Sequence, residues 1–229
     1  NGADWLFGGD GIEVDAWSTT GSVTVNSPST SISASNNDGD GIIFNLTGAT
    51  GVGGTLNSLK ANENAVYGIK INANGGVGAV DLTVNGAEAG SNGLDGINVV
   101  AGAAGAVDVA LNQAVADGNG FGLLGNGIVA VLNSAGSTAS LTSTGMSASG
   151  NNGSGVLANV VGVLGATVEV GSLPGAAGQV NSNNGVGIRI DANGGAGPAT
   201  VGVVNTTVNS NQFDGVDINT IAAGDINVT

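Results

Sequence analysis

Four aspartates, Asp10, Asp40, Asp95 and Asp214, each stand directly before a glycine that opens a short apolar run. Carboxylates repeated at one position of a repeating unit can do two kinds of chemistry. Stacked on neighbouring turns they make oxygen clusters of the kind calcium favours. Held several ångströms apart across a groove they make the acid and base of glycoside hydrolysis. Asp10 and Asp40 belong to adjacent units and would lie about 5 Å apart, close enough to repel unless a cation or water bridges them. The simpler expectation is that each is a turn residue bonding locally to the backbone, with a calcium ion between Asp10 and Asp40 as the alternative.

The other reactive side chains are scarce. The chain of 229 residues has no His, no Cys and only three basic residues, Lys60, Lys70 and Arg189, against 17 Asp plus Glu. Thiolate metal sites, disulfides and histidine-based catalysis are excluded by composition. A net charge of −14 makes nucleic acid a poor partner, because phosphate neutralisation needs clustered Lys and Arg. No apolar run approaches the roughly 18 residues of a membrane span, so membrane insertion is not expected. No cofactor beyond calcium is called for. The N-x-[ST] sequons at Asn45, Asn152, Asn205 and Asn227 are expected by chance in a chain this rich in Asn, Ser and Thr.

The elements that must position these residues are repeats. GIKINANGGVGAVDLTVN at 68–85 and GIRIDANGGAGPATVGVVN at 187–205 are the same unit. Its opening glycine recurs as Gly11, Gly41, Gly68, Gly96, Gly127, Gly155, Gly187 and Gly215, at spacings of 27 to 32 residues. The fifth is the least secure, since Gly122 would serve almost as well. The next residue is always Ile or Val, and the residue two further on is always apolar, from Val14 to Ile218. Period-two alternation with β-branched residues reads as a half-buried strand. Four residues before the glycine stands Asn37, Asn64, Asn92, Asn151, Asn183 or Asn211. A second alternating run, of the AVDLTVN type, and a shorter third run complete each unit. These patterns predict an all-β parallel solenoid spanning 1–229 as one domain, with about eight coils and three short strands per coil. The asparagines would stack as a ladder, and stacking would bury a core that no coil could bury alone.

The pattern resembles the right-handed parallel β-helix repeats of microbial surface proteins, filaments and fibres, and of pectin-active enzymes. The resemblance covers the whole chain and implies a fold more than an activity. The pectin hydrolases of that class carry a His and an Arg-Ile-Lys type motif. Here GIRIDA lacks the Lys two positions after Arg189, and Lys70 falls at the equivalent position several coils away. Both basic residues are expected to be solvent-facing charges, and the protein is not expected to be an enzyme. The opening NGADWLFGGDGIEV also resembles calcium-binding nonapeptide repeats. That match breaks at Glu13 and Asp15, while the Ile12/Val14 phase continues in GIKINA and GIRIDA.

Neither end carries a recognisable cap or a separate capping domain. Residues 1–11 read as the third run of a coil, and residues 215–229 as the first two runs of one. The expectation is head-to-tail assembly of identical chains into an extracellular or cell-surface filament. Trp5, Leu6 and Phe7 would meet Val216, Ile218, Ile226 and Val228 across the joint. The alternatives are a segment of a larger adhesin or tail-like fibre, and a carbohydrate-binding or carbohydrate-cleaving β-helix in contact with surface glycans.

Overall fold

A computed structural model describes residues 9–121, 124–171 and 177–229. Among these residues all regular structure is β-strand. The alternating run after each anchor glycine forms the first face, a parallel sheet of eight strands. They are Ile12–Ser18, Ile42–Gly48, Ile69–Asn74, Ile97–Ala103, Ile128–Ser134, Val156–Gly162, Ile188–Gly195 and Val216–Ala222. The second face is also eight parallel strands: Val23–Asn26, Gly51–Asn57, Ala79–Asn85, Val107–Asn112, Thr138–Thr144, Gly165–Val170, Ala199–Val203 and Ile226–Val228. Every strand pairs with its equivalent one coil away, so the chain is a parallel β-solenoid of eight coils, opened by Gly11 to Gly215. All eight anchors hold, Gly127 included, because Ile128 pairs with Ile97 on one side and Val156 on the other.

The third face is narrower than the three-strand expectation. Short pairs form between Ile32–Ser33 and Leu59–Lys60 and between Gly178–Asn181 and Thr206–Asn209. Between them single bridges at Glu88, Val115 and Ser147 carry the ladder onward to Gln179. The cause is local. Ser58, Gly86, Gln113 and Gly145 precede this face with positive φ, and Glu63, Ser91, Gly118 and Gly150 follow it with positive φ. Two left-handed turns so close together leave only a few extended residues between them.

Stacking in register puts like on like. Ile42, Ile69, Ile97, Ile128, Val156 and Ile188 form one buried column of the first face. The third face turns in a column of alanines, Ala34, Ala61, Ala89, Ala116 and Ala148, beside a column that includes Leu59 and Met146. Layers this thin pack densely where large side chains meet small ones across the core.

Candidate functional site

Chemistry-bearing side chains lie on the turns between the third and first faces, on the outer side of the first face, and at the last coil.

The first turn holds the asparagine ladder. Asn37 Nδ2 donates to Asn64 Oδ1 at 2.8 Å, Asn64 to Asn92 at 3.0 Å, and Asn92 to Asn119 at 3.0 Å. Asn119 continues to Asn151, Asn151 to Asn183, both at 3.0 Å, and Asn183 to Asn211 at 2.9 Å. Each Oδ1 also accepts the backbone N–H of the preceding ladder residue, as Asn151 does from Asn119 at 2.8 Å. All six predicted members are brought together, and the structure adds Asn119. Its coil carries four extra residues before the anchor: Asn119 lies eight positions before Gly127, where Asn92 lies four before Gly96. The ladder also explains the anchor. A Cβ on Gly68 would stand 2.6 Å from Asn92 Nδ2 and 2.6 Å from the Gly96 carbonyl. Glycine and asparagine are two halves of one close contact.

The aspartates form a neighbouring column. Asp40 N–H donates to Asp10 Oδ1 at 2.8 Å, and Tyr67 N–H donates to Asp40 Oδ1 at 2.9 Å. Asp95 Oδ1 accepts the N–H and Nδ2–H of Asn126, whose own Oδ1 accepts Ser154 N–H. On four coils the side-chain oxygen of Asp10, Asp40, Asp95 or Asn126 thus caps the backbone of the next. Burial pushes the Asp40 pKa above the ordinary carboxylate value, against the pull of the Tyr67 N–H and Lys70, and Asp10 adds to the rise. Asp10 and Asp40 are stacked as expected, but each has an oxygen committed to a backbone N–H. Among the described residues no group of three or more His, Cys, Asp or Glu could hold a metal ion.

On the first face Lys70 and Arg189 share a register position four strands apart. Lys70 Nζ lies 4.9 Å from the Tyr67 ring centre. Arg189 Nε lies 3.2 Å from Asp191 and 3.9 Å from Asp217. A shallow groove of about 700 Å³ runs along this face, lined by Asn45, Asn72, Asn74, Val100, Val131 and Asn133 among others. Its lining is amides and aliphatics, and no acid–base pair faces into it.

The last coil is where inward side chains meet solvent. Val216 is 42% exposed, Ile226 49% and Val228 51%, whereas Ile188, Ala199 and Val201, one coil earlier, are each 0% exposed. Ile218 is half-buried. Trp5, Leu6 and Phe7, the other half of the expected joint, lie outside the described residues. The sequence reading passed over two outward-facing residues, Trp17 on coil 1 (74% exposed) and Ile221 on coil 8 (60% exposed).

No protein-family model, no curated protein and no solved structure matches this chain.

Proposed function

We propose that the protein is a structural β-solenoid, a non-catalytic rod of an extracellular or cell-surface filament lengthened head-to-tail by further copies of itself. The observation that carries this reading is the in-register stacking of eight like coils, in which each strand of the two wide faces pairs with its equivalent one coil away. Unpaired strand edges backed by apolar residues recruit another strand, and a contact that joins two different surfaces of one subunit propagates without closing. Scarce charge on the faces, dense backbone pairing and a groove without acid–base residues favour an inert rod over an enzyme.

Electron microscopy across a concentration series tests the reading. The expected outcome is unbranched rods whose length grows with concentration and whose axial repeat is about 4.8 Å. Discrete particles at every concentration would overturn self-assembly and leave a rod segment whose last coil is covered by other means. Cleavage of an acidic polysaccharide would replace the structural reading with an enzymatic one.

A further inference from the structure

We propose that Phe121 and the turns on either side of it form a binding site for a neutral oligosaccharide lying along the rod axis. The site is on the flank of the solenoid and stands apart from head-to-tail growth.

The turns between the third and first faces stack at about 4.8 Å, and the turn that follows Asn119 is four residues longer than the one that follows Asn92. Insertions in a repeat fall in loops on one face, and such loops carry binding. Gly118 and Gly120, with φ of 68° and 87°, bracket the buried Asn119. The N–H groups of Gly120 and Phe121 both reach the Asn92 carbonyl, at 2.8 and 3.4 Å. The backbone is thus tied to the ladder while the side chain leaves it, and Phe121 is 91% exposed. A phenyl ring held out on an anchored backbone is a platform for a flat apolar face.

Phe121 lines two clefts. Toward the earlier coils lies one of about 490 Å³, bordered by Asn36, Asp38, Glu63 and Ser91 among others. Toward the later coils lies one of about 280 Å³, bordered by Gly118, Gly120, Gly150, Asn152 and Asn184. The ladder amides beneath are spent on one another, but the side chains of Asn36, Asp38, Glu63 and Ser91 make no hydrogen bond or ion pair among the described residues. On the other side Asn152 Nδ2 donates to the Gly120 carbonyl at 3.2 Å and Asn184 Nδ2 to Asn152 Oδ1 at 2.7 Å. That row of oriented amides ends on the exposed Asn184 side chain.

Charge selects the ligand. Among the described residues no Lys or Arg lines either cleft: Lys60 pairs with Glu88, Lys70 lies against Tyr67, and Arg189 against Asp191. Phosphate, sulfate and carboxylate groups therefore find no partner here. Carboxylates border the longer cleft only, so a cation is matched on one side of the ring and not on the other. Both sides share uncharged amides around one aromatic ring. That combination suits a sugar, whose C–H face packs on the ring while its hydroxyls exchange hydrogen bonds with the amides. An extended oligosaccharide advances per sugar by a step close to the coil spacing, so successive sugars meet successive turns.

Isothermal titration calorimetry tests the site with cellohexaose and laminarihexaose as neutral chains, hexagalacturonic acid as an anionic one and hexaglucosamine as a cationic one. Binding of a neutral chain, and none of the anionic one, is the expected result. Phe121→Ala should weaken it about tenfold, Phe121→Trp should keep or strengthen it, and Asn184→Ala should weaken it by a smaller factor. Phe121 and Asn184 are exposed, so all three variants should melt with the parent, and a weakened isotherm reports the site and not the fold. Neutral binding that survives Phe121→Ala unchanged would overturn the site by placing the sugar elsewhere. Binding of hexaglucosamine alone would replace it with a cation site at Asp38 and Glu63, and heat from none of the four would overturn it outright. Rod growth with concentration is read separately, so either proposal can fail while the other stands.

Discussion

Asparagine is the one residue that can stand in the middle of the buried ladder. Asn119 accepts the N–H and Nδ2–H of Asn92 and donates both of its own to Asn151. Aspartate would keep the acceptor and lose the side-chain donor; alanine loses both. Asn119→Ala leaves two buried donors of Asn92 without a partner, and we expect a loss of about 2–4 kcal/mol. Chemical denaturation measures it, and faster hydrogen exchange at the Asn92 amide localises it; an unchanged midpoint would refute the ladder as a stabilising device. Asp40 follows a different logic. Its raised pKa means that the folded chain holds the proton more tightly than the unfolded chain does. The resulting stabilisation is present in acid and is lost as pH rises through that raised value. Asp40→Asn keeps the oxygen that accepts Tyr67 N–H, as Asn126 does for Ser154, and removes the charge. The variant should melt above the parent at about pH 7 and match it at about pH 3, below the ordinary aspartate range. A calcium ion held between Asp10 and Asp40 would reverse the neutral-pH result, since the ion would raise the parent's melting temperature and not the variant's.

At the scale of the element, the anchor glycine is dictated by crowding and the turn glycines by backbone angle, and substitution separates them. Gly68→Ala would drive a Cβ to within 2.8 Å of the Ala61 carbonyl as well as into Asn92, at a cost of about 3 kcal/mol. Gly86 has φ of 62° and nothing within 4 Å of a would-be Cβ, so Gly86→Ala should cost only about 1 kcal/mol of left-handed strain. Equal melting temperatures for the two variants would undo the distinction. This contrast also explains what the sequence could and could not disclose. The first-face strands were legible because eight β-branched residues follow eight glycines, and the half-buried alternation needed no partner to be seen. The second strand of coil 2, Gly51–Asn57, was hidden, since GVGGTLN shows no alternation. Gly54 is there because the Val25 carbonyl approaches so closely that no Cβ would fit. Asn119 was hidden by the longer turn between it and Gly127. The left-handed positions Glu63, Ser91 and Gln113 carry no residue that announces positive φ. Stacking on neighbouring coils imposes it, and a contact between residues about 28 apart leaves no local mark. The candidate site was legible in part: the six asparagines and the aspartate pair showed as recurrences.

For the whole molecule the governing fact is that each coil contacts its neighbours and little else, so stability should be a sum over coils and interfaces. Removing residues 68–95 tests this directly, because it takes out one complete turn and joins Tyr67 to Gly96. The coils brought together are already matched. Ile42 would lie beside Ile97, Phe44 beside Val99, Val52 beside Val107, and Leu56 beside Leu111, all drawn from columns that are apolar and buried in the parent. Asn64 would donate to Asn119, a ladder member with the same polarity as the Asn92 it replaces. The Lys60–Glu88 ion pair is lost, but both partners are about half exposed, and surface pairs contribute little. The shortened chain is therefore expected to fold into a seven-coil rod with the parent's β-sheet circular dichroism per residue. It should melt somewhat lower because one interface has gone, and small-angle scattering should find it shorter by about 5 Å. Removing residues 68–81 instead deletes half a turn, brings first-face residues onto the second face, and should prevent folding. If the full-turn deletion unfolds like the half-turn one, the coils are not interchangeable units and some interaction beyond nearest neighbours holds the rod together.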